Sequence, residues 1–333
     1  MAHATRRGFL TTVTGTALAA TGTAFLPAAE ALARPRGRVS ATLDVISDVQ
    51  GDLRDFSMTL NRLNALGAAD ALVVNGDLVS QGHAFQYEDY YGVLDSHPHP
   101  ELVLSTLGNH EQYTDEPFDT QVSRFLDYTG MSDVYTRTVV GGVPLLTIGT
   151  TRPRRSGGDG SLFVTLGREQ LSWLDAHLSR YRRSGRPVLV FSHHVLPESV
   201  SGSVGEDRAD FYEQDFVDEA ELLEILGDHP NVVFFSGHTH WSLERDDWAA
   251  RKVVAGGHPD GFTCVNTGFV QTMYGPDGRG GETPVDGAAA QGLRVEVTAE
   301  GEVTVHARDF RNDRLIRSLV IPSATAHGRG RGN

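Results

Sequence analysis

Val232-Val233-Phe234-Phe235-Ser236-Gly237-His238-Thr239-His240 passes from an unbroken apolar run into a glycine and a pair of spaced histidines. A four-residue apolar stretch rich in β-branched and aromatic side chains reads as a buried strand, and the glycine that follows reads as the turn that ends it. What comes after the turn is two imidazoles two positions apart, at a strand end, where open α/β sheets place their ligand groups.

The same grammar recurs through the chain. Thr42-Leu43-Asp44-Val45-Ile46 leads into Asp48-Val49-Gln50, Ala71-Leu72-Val73-Val74 into Gly76-Asp77, Leu102-Val103-Leu104 into Gly108-Asn109-His110-Glu111, and Val188-Leu189-Val190-Phe191 into His193-His194. Residues 143–148 form one more apolar run. Between the strands, Leu53, Phe56, Leu60, Leu63 and Leu66 recur at helical spacing up to Gly67, and Leu171, Leu174 and Leu178 do so within residues 169–181. Leu293-Arg294-Val295-Glu296-Val297, a turn at Gly301 and Val303-Thr304-Val305 predict an antiparallel hairpin that finishes a second sheet. Strands alternating with amphipathic helices specify a layered α/β domain. Residues 152–160, poor in apolar side chains, predict a surface loop.

Each motif alone has an ordinary structural reading, since Gly-Asp is common in turns and paired histidines can be satisfied within a core. Together they supply carboxylate, amide and imidazole donors, the set a divalent cation needs. In this order they resemble the calcineurin-like metallophosphoesterase family, whose motifs run Asp-x-His, Gly-Asp, Gly-Asn-His-Asp/Glu, a lone metal-binding His and Gly-His-x-His. The resemblance covers about Val39 to Asn266. It implies a four-layer α/β/β/α sandwich of two mixed sheets, with metals at a loop-rich edge.

It further implies that Asp48, Gln50, Asp77 and His240 bind one metal, that Asp77, Asn109, His193 and His238 bind the other, and that Asp77 bridges them. Two such cations, about 3.5–4 Å apart, hold a hydroxide for in-line attack on phosphorus. His110 is then a catalytic and substrate-binding group and no ligand, placed to stabilise phosphoryl oxygens or to protonate the leaving oxygen, with Asn109 beside it. Strand alternation sends His193 and His194 to opposite faces. By the family's placement His193 is the ligand, while His194 is a substrate-side donor, a partner of a ligand, or a structural histidine.

Two departures stand out. Gln50 occupies a position where most of the family has histidine, which shifts the first site toward oxygen donors. Mn²⁺, Mg²⁺, Ca²⁺ or Fe²⁺ becomes more plausible there than tightly held Zn²⁺. Ser80 stands where purple acid phosphatases have a tyrosine ligand and protein phosphatases an aspartate that orients the catalytic histidine, so what orients His110 is open. The acidic run from Glu206 to Glu221 reads as a solvated segment entering a helix, or as a lid or extra cation site at the mouth. His83, His97, His99, His177, His229, His258, His306 and His327 match no motif and read as surface or structural residues.

The remaining expectations concern the whole chain of 333 residues, 39% of them hydrophobic. A net charge of −14 argues against nucleic acid as the partner and leaves a small phosphate ester open, because bound cations reverse the local field. Arg6-Arg7 ahead of a threonine-interrupted apolar stretch, with Ala31-Leu32-Ala33 after it, resembles a twin-arginine signal over residues 1–33. Export by the twin-arginine machinery to the cell envelope or exterior follows, with no permanent membrane anchor. The catalytic domain then spans 34–322 and a disordered tail 323–333. Cys264 is the sole cysteine, so no intramolecular disulfide forms. The expected activity is hydrolysis of a phosphate ester, with a diester favoured because no basic clamp for a dianion stands in the motifs, although Arg54 or Arg124 can approach in three dimensions. The alternatives are a phosphomonoesterase or nucleotidase, and a non-catalytic binding module on the same fold.

Overall fold

The computed structural model describes residues 22–26, 33, 35–156, 161–162, 164–285, 287 and 289–324. The paired arginines, the alanine-rich cleavage motif up to Leu32 and the tail beyond residue 324 lie outside the described residues, as does His327.

Two mixed sheets form the centre. One runs in the order Gly22–Phe25, Ala249–Val253, Phe262–Asn266, Val232–Ser236, Val188–Ser192, Val143–Thr147, Thr136–Val140, with the strands from Phe262–Asn266 to Val143–Thr147 mutually parallel. The other runs Arg314–Ile321, Val303–Asp309, Gln291–Thr298, Val39–Ile46, Ala71–Val74, Val103–Ser105, its last three strands parallel. The C-terminal hairpin finishes this second sheet, as expected. It docks antiparallel onto Val39–Ile46, with Val295 opposite Leu43, so the end of the domain closes over its beginning.

Side-chain alternation explains the layering. Along Val188–Ser192, Leu189 and Phe191 face the other sheet while Val188 and Val190 face helices. Phe191 stacks on Phe235 of the neighbouring strand at 4.9 Å between ring centroids. Leu43, Val45 and Val73 meet Leu189, Phe191 and Val233 in the inter-sheet layer. Outside it, the helices Gly167–Tyr181 and Glu219–Gly227 cover one sheet through Leu171, Leu174, Leu178 and Leu222. Leu53–Ala65, Ala84–Asp95 and Phe118–Thr129 cover the other through Phe56, Tyr87, Tyr90 and Phe125. The result is the expected four-layer α/β/β/α sandwich.

Gly22–Phe25, inside the stretch read as a leader, lies antiparallel along Ala249–Val253 as an edge strand of the uncleaved chain. Residues 152–160, expected as a loop, carry a short pairing of Arg155–Ser156 with Ser161–Leu162, and residues 157–160 lie outside the described set. Among the described residues no helix is long and apolar enough to cross a membrane.

Candidate metal centre

The parallel strands of both sheets end on one rim, and the five motifs occupy the loops that leave them. Asp48, Asp77 and Asn109 follow Val39–Ile46, Ala71–Val74 and Val103–Ser105, and His193 and His238 follow Val188–Ser192 and Val232–Ser236. Backbone bonds tie the loops together: Asp48 N donates to Gly76 O, Gln50 N to Asp77 O and Gly237 N to His193 O. Seven non-glycine residues among those described have positive φ, and five are Asp48, Gln50, Asp77, His238 and His240. Conformations that cost on the order of 1–3 kcal/mol each thus concentrate on the candidate ligands, as they do at sites where geometry serves chemistry.

The candidate ligand atoms meet in close pairs. His193 Nδ1 donates to Asn75 O and His240 Nδ1 to Thr272 O, so in the neutral rings each Nε2 presents a lone pair. His193 Nε2 lies 3.2 Å from Asp77 Oδ2 and 3.1 Å from Asn109 Oδ1, and His240 Nε2 lies 3.0 Å from Asp48 Oδ1. Asp48 Oδ1 is buried without a hydrogen-bond partner. Asp77, His193 and His238 each offer a ligand atom within 4.8 Å of the others. Buried acceptors facing one another need a proton or a cation between them, and this set of oxygen and imidazole donors fits divalent metal.

The electrostatics agree. Burial acts to raise the Asp77 carboxyl, but the His193 and His110 charges outweigh it and hold it well below the usual carboxylate range. Asp48 is lowered in the same way, burial being overcome by His240 and His193. The reciprocal effect pushes His193 up to about 10, because Asp77 and Asp48 prevail over desolvation. The carboxylates thus demand positive charge, which bound metal would supply in place of protons.

Gln50 lies beside two of the candidate ligands. Its amide Nε2 sits 2.9 Å from Asp77 Oδ2 and 3.0 Å from His240 Nε2. A half-turn of the amide puts Oε1 at that point. Asn109 is already turned for ligation: its Nδ2 donates to Tyr113 Oη at 2.6 Å, leaving Oδ1 toward His193. His110 finds its orienting group in the Ser80 backbone, where Nδ1 donates to the carbonyl at 2.8 Å, leaving Nε2 3.8 Å from Asp77 Oδ2. Ser80 thus acts through its main chain, which residue identity could not reveal.

His194 lies elsewhere. It is buried against His238 and Phe216 and is not among the residues lining the cavity above the cluster. The strand ends at Ser192 and its alternation does not part the two histidines, whose rings meet edge to face at 5.0 Å between centroids; absent from the cavity lining, His194 does not suit the substrate-side role. Arg54 is exposed on its helix, and Arg124 is committed to Glu116 and the Gly82 carbonyl, so neither reaches the cavity wall. The Arg154 guanidinium lies 5.0 Å from the centre of the Tyr113 ring.

Three further groups have roles that the sequence did not announce: Glu111 stood only as the last residue of its motif, and Asp215 and Glu282 belong to none. Glu111 is buried and accepts from the backbone N–H of Gly108, Asp77 and Leu78, tying two motif loops together, and burial pushes its carboxyl up to about 8. Asp215 sits buried with Oδ2 3.6 Å from His238 Nε2, and burial drives its carboxyl well above the ordinary range. Glu282 receives Tyr212 Oη and Trp241 Nε1, each at 2.9 Å, on Oε2. Part of the acidic run is held locally: Arg208 pairs with Glu213, Arg245 with Asp207, and Asp218 accepts from Leu166 N and Gly167 N. Its Phe211 and Tyr212 line the cavity, which holds about 540 Å³, within the range of small-molecule sites.

A family model described as calcineurin-like phosphoesterase matches residues 41–242, and one described as a domain of unknown function, DUF4073, matches residues 243–327. No curated protein sequence matches the chain. Among solved structures, a dimetal phosphatase from Danio rerio is similar at 16% identity, 86% of this chain and 100% of that one, with a TM-score of 0.56. A purple acid phosphatase, PPD1, from yellow lupin seeds is similar at 14% identity, covering 86% of this chain and 54% of that one, with a TM-score of 0.57. GAP50, the anchor in the inner membrane complex of Plasmodium, is similar at 12% identity over 86% of this chain and 89% of that one, with a TM-score of 0.54. At these identities the likeness is one of fold.

Proposed function

Because the chain belongs to the calcineurin-like phosphoesterase family, a family of hydrolases of phosphoric esters, we propose that it hydrolyses a phosphodiester with two divalent metals. Asp48, Gln50, Asp77 and His240 hold one, and Asp77, Asn109, His193 and His238 the other. The observation that carries this reading is the convergence of lone-pair-bearing groups from both sheets around the buried Asp77. Bound there, the cations supply Lewis-acid polarisation of the phosphoryl group and activation of a water.

The protein's own groups do the rest. With Nδ1 given to the Ser80 carbonyl, His110 keeps Nε2 toward the cavity, where its proton meets a phosphoryl oxygen or passes to the departing alcohol. Tyr113, in contact with the His110 ring at 4.6 Å between centroids, holds both that ring and the Asn109 amide. The preference for a diester follows from the wall. Among the described residues, no lysine or arginine lines the cavity and the Glu282 carboxylate does, an arrangement that repels the second negative charge of a monoester.

The test is a side-by-side titration of metal-stripped protein with Mn²⁺, following bis(p-nitrophenyl) phosphate and p-nitrophenyl phosphate. The diester should show at least about tenfold higher kcat/KM, and His110→Ala should keep its metal while losing about a hundredfold in kcat. A higher kcat/KM for the monoester would establish a phosphomonoesterase instead. Loss of metal in His110→Ala would make His110 a ligand.

A further inference from the structure

Residues 274–284 belong to the stretch matched only by a domain of unknown function, yet they reach the metal centre. Tyr274–Pro276 and Glu282–Pro284 pair as a small antiparallel hairpin. Tyr274 N donates to His240 O at 3.0 Å, and Asp210 N donates to Gly280 O at 2.9 Å, so the hairpin is fastened to one candidate ligand and to the segment carrying Phe211 and Tyr212. It contributes Tyr274 and Glu282 to the cavity.

Glu282 is the anomaly. A carboxylate in the wall of a site that must receive a phosphate anion works against binding unless it has a positive partner. Among the described residues no lysine or arginine lines this cavity. Tyr212 Oη and Trp241 Nε1 both donate to Oε2, which holds the carboxylate in one orientation. Around it the lining is aromatic: Tyr212 and Phe211, 4.4 Å apart between ring centroids, and Tyr274, 5.4 Å from His240. Phe211 remains 41% exposed, so its ring is open to a bound group. A fixed carboxylate among aromatic rings is the chemistry that recognises an ammonium group, by charge and by cation–π attraction. Arg154, which is not part of the lining, stands over the Tyr113 ring.

We infer that this hairpin selects the substrate, and that Glu282 with Phe211, Tyr212 and Tyr274 receives an ammonium-bearing alcohol arm of a phosphodiester. The inference rests on the phosphodiesterase reading and adds to it the class of alcohol. It also gives a role to residues 274–284: they complete the active-site wall, while the rest of the C-terminal stretch completes a sheet.

The experiment uses two diesters with the same leaving group, p-nitrophenyl phosphorylcholine and p-nitrophenyl ethyl phosphate, on the metal-loaded full chain and on Glu282→Gln. Binding of phosphocholine and of ethyl phosphate is measured alongside by calorimetry. The parent should prefer the choline ester by about tenfold in kcat/KM, and Glu282→Gln should reduce that ratio about tenfold, with the same change in the ratio of the two binding constants. Equal handling of the two esters by the parent, or an unchanged ratio in the variant, overturns the inference. If neither ester is turned over while phosphocholine still binds preferentially through Glu282, the inference stands and the diesterase reading falls.

Discussion

Asp215 is the residue whose position says most about how the cluster is held. Its Oδ2 is buried, accepts no hydrogen bond, and lies 3.6 Å from Nε2 of His238. A carboxyl group packed against an imidazole restricts the ring's orientation and so tunes the nitrogen that would meet a metal. Asp215→Ala should therefore weaken metal binding about 10- to 100-fold, read as the cation concentration that restores half occupancy to stripped protein, and Asp215→Asn should recover part of it. Unchanged occupancy curves in both variants would reduce Asp215 to a packing residue. This residue was not legible in the sequence, where it is one of eight acidic positions in the run from Glu206 to Glu221. Asp48, Asp77, Asn109, His193, His238 and His240 could be named as candidates because the motifs that carry them, each after an apolar strand, resemble those of a known family. Tyr113, Glu282 and the Ser80 carbonyl could not, since their roles depend on which loops meet in space.

Among elements, the motif loops work because their glycines let chains approach. A Cβ built on Gly108 would fall well inside contact distance of Asp77 Oδ1 and 2.6 Å from the Asp77 backbone nitrogen. Real Cβ atoms essentially never come this close, so Gly108→Ala must displace the Asp77 loop, the Asn109 loop, or both. The variant should fold, since the three hydrophobic layers lie elsewhere, yet lose about a hundredfold or more in kcat/KM, the cost expected of a misplacement near 1 Å. Parental kinetics in Gly108→Ala would mean that the loops adapt freely. The strands Ala71–Val74, Val188–Ser192 and Val232–Ser236 could be read in advance because they are buried, near-continuous apolar runs, and Val39–Ile46 because its apolar residues recur up to Val45 and Ile46. Ala249–Val253 escaped notice because Arg251 and Lys252 break its pattern. Both are held by tertiary contacts, Arg251 to Thr263 and Lys252 to the Pro197 and Glu198 carbonyls. The helix Ala84–Asp95 was hidden for another reason: tyrosines on several faces blur its apolar stripe, although Tyr87 and Tyr90 are the ones buried.

At the scale of the whole molecule, two sheets meet so that one rim gathers donors from both, and neither sheet carries a complete site alone. Asp48, Asp77 and Asn109 come from one, His193 and His238 from the other. Metal bound across that seam would couple the two halves, and because it binds only the folded chain it should stabilise it by mass action. The order of the motifs sufficed to anticipate this arrangement, whereas the closure of Gln291–Thr298 onto Val39–Ile46 was not anticipated, because register between distant strands leaves no local trace. The central claim is that two cations share Asp77. The most direct measurement is the number of equivalents of Mn²⁺ bound by stripped protein, followed together with diester hydrolysis, in the parent and in Asp77→Asn. The account predicts two equivalents in the parent, with activity requiring both, and at most one in Asp77→Asn with no turnover. Two equivalents and parental activity in Asp77→Asn would contradict it.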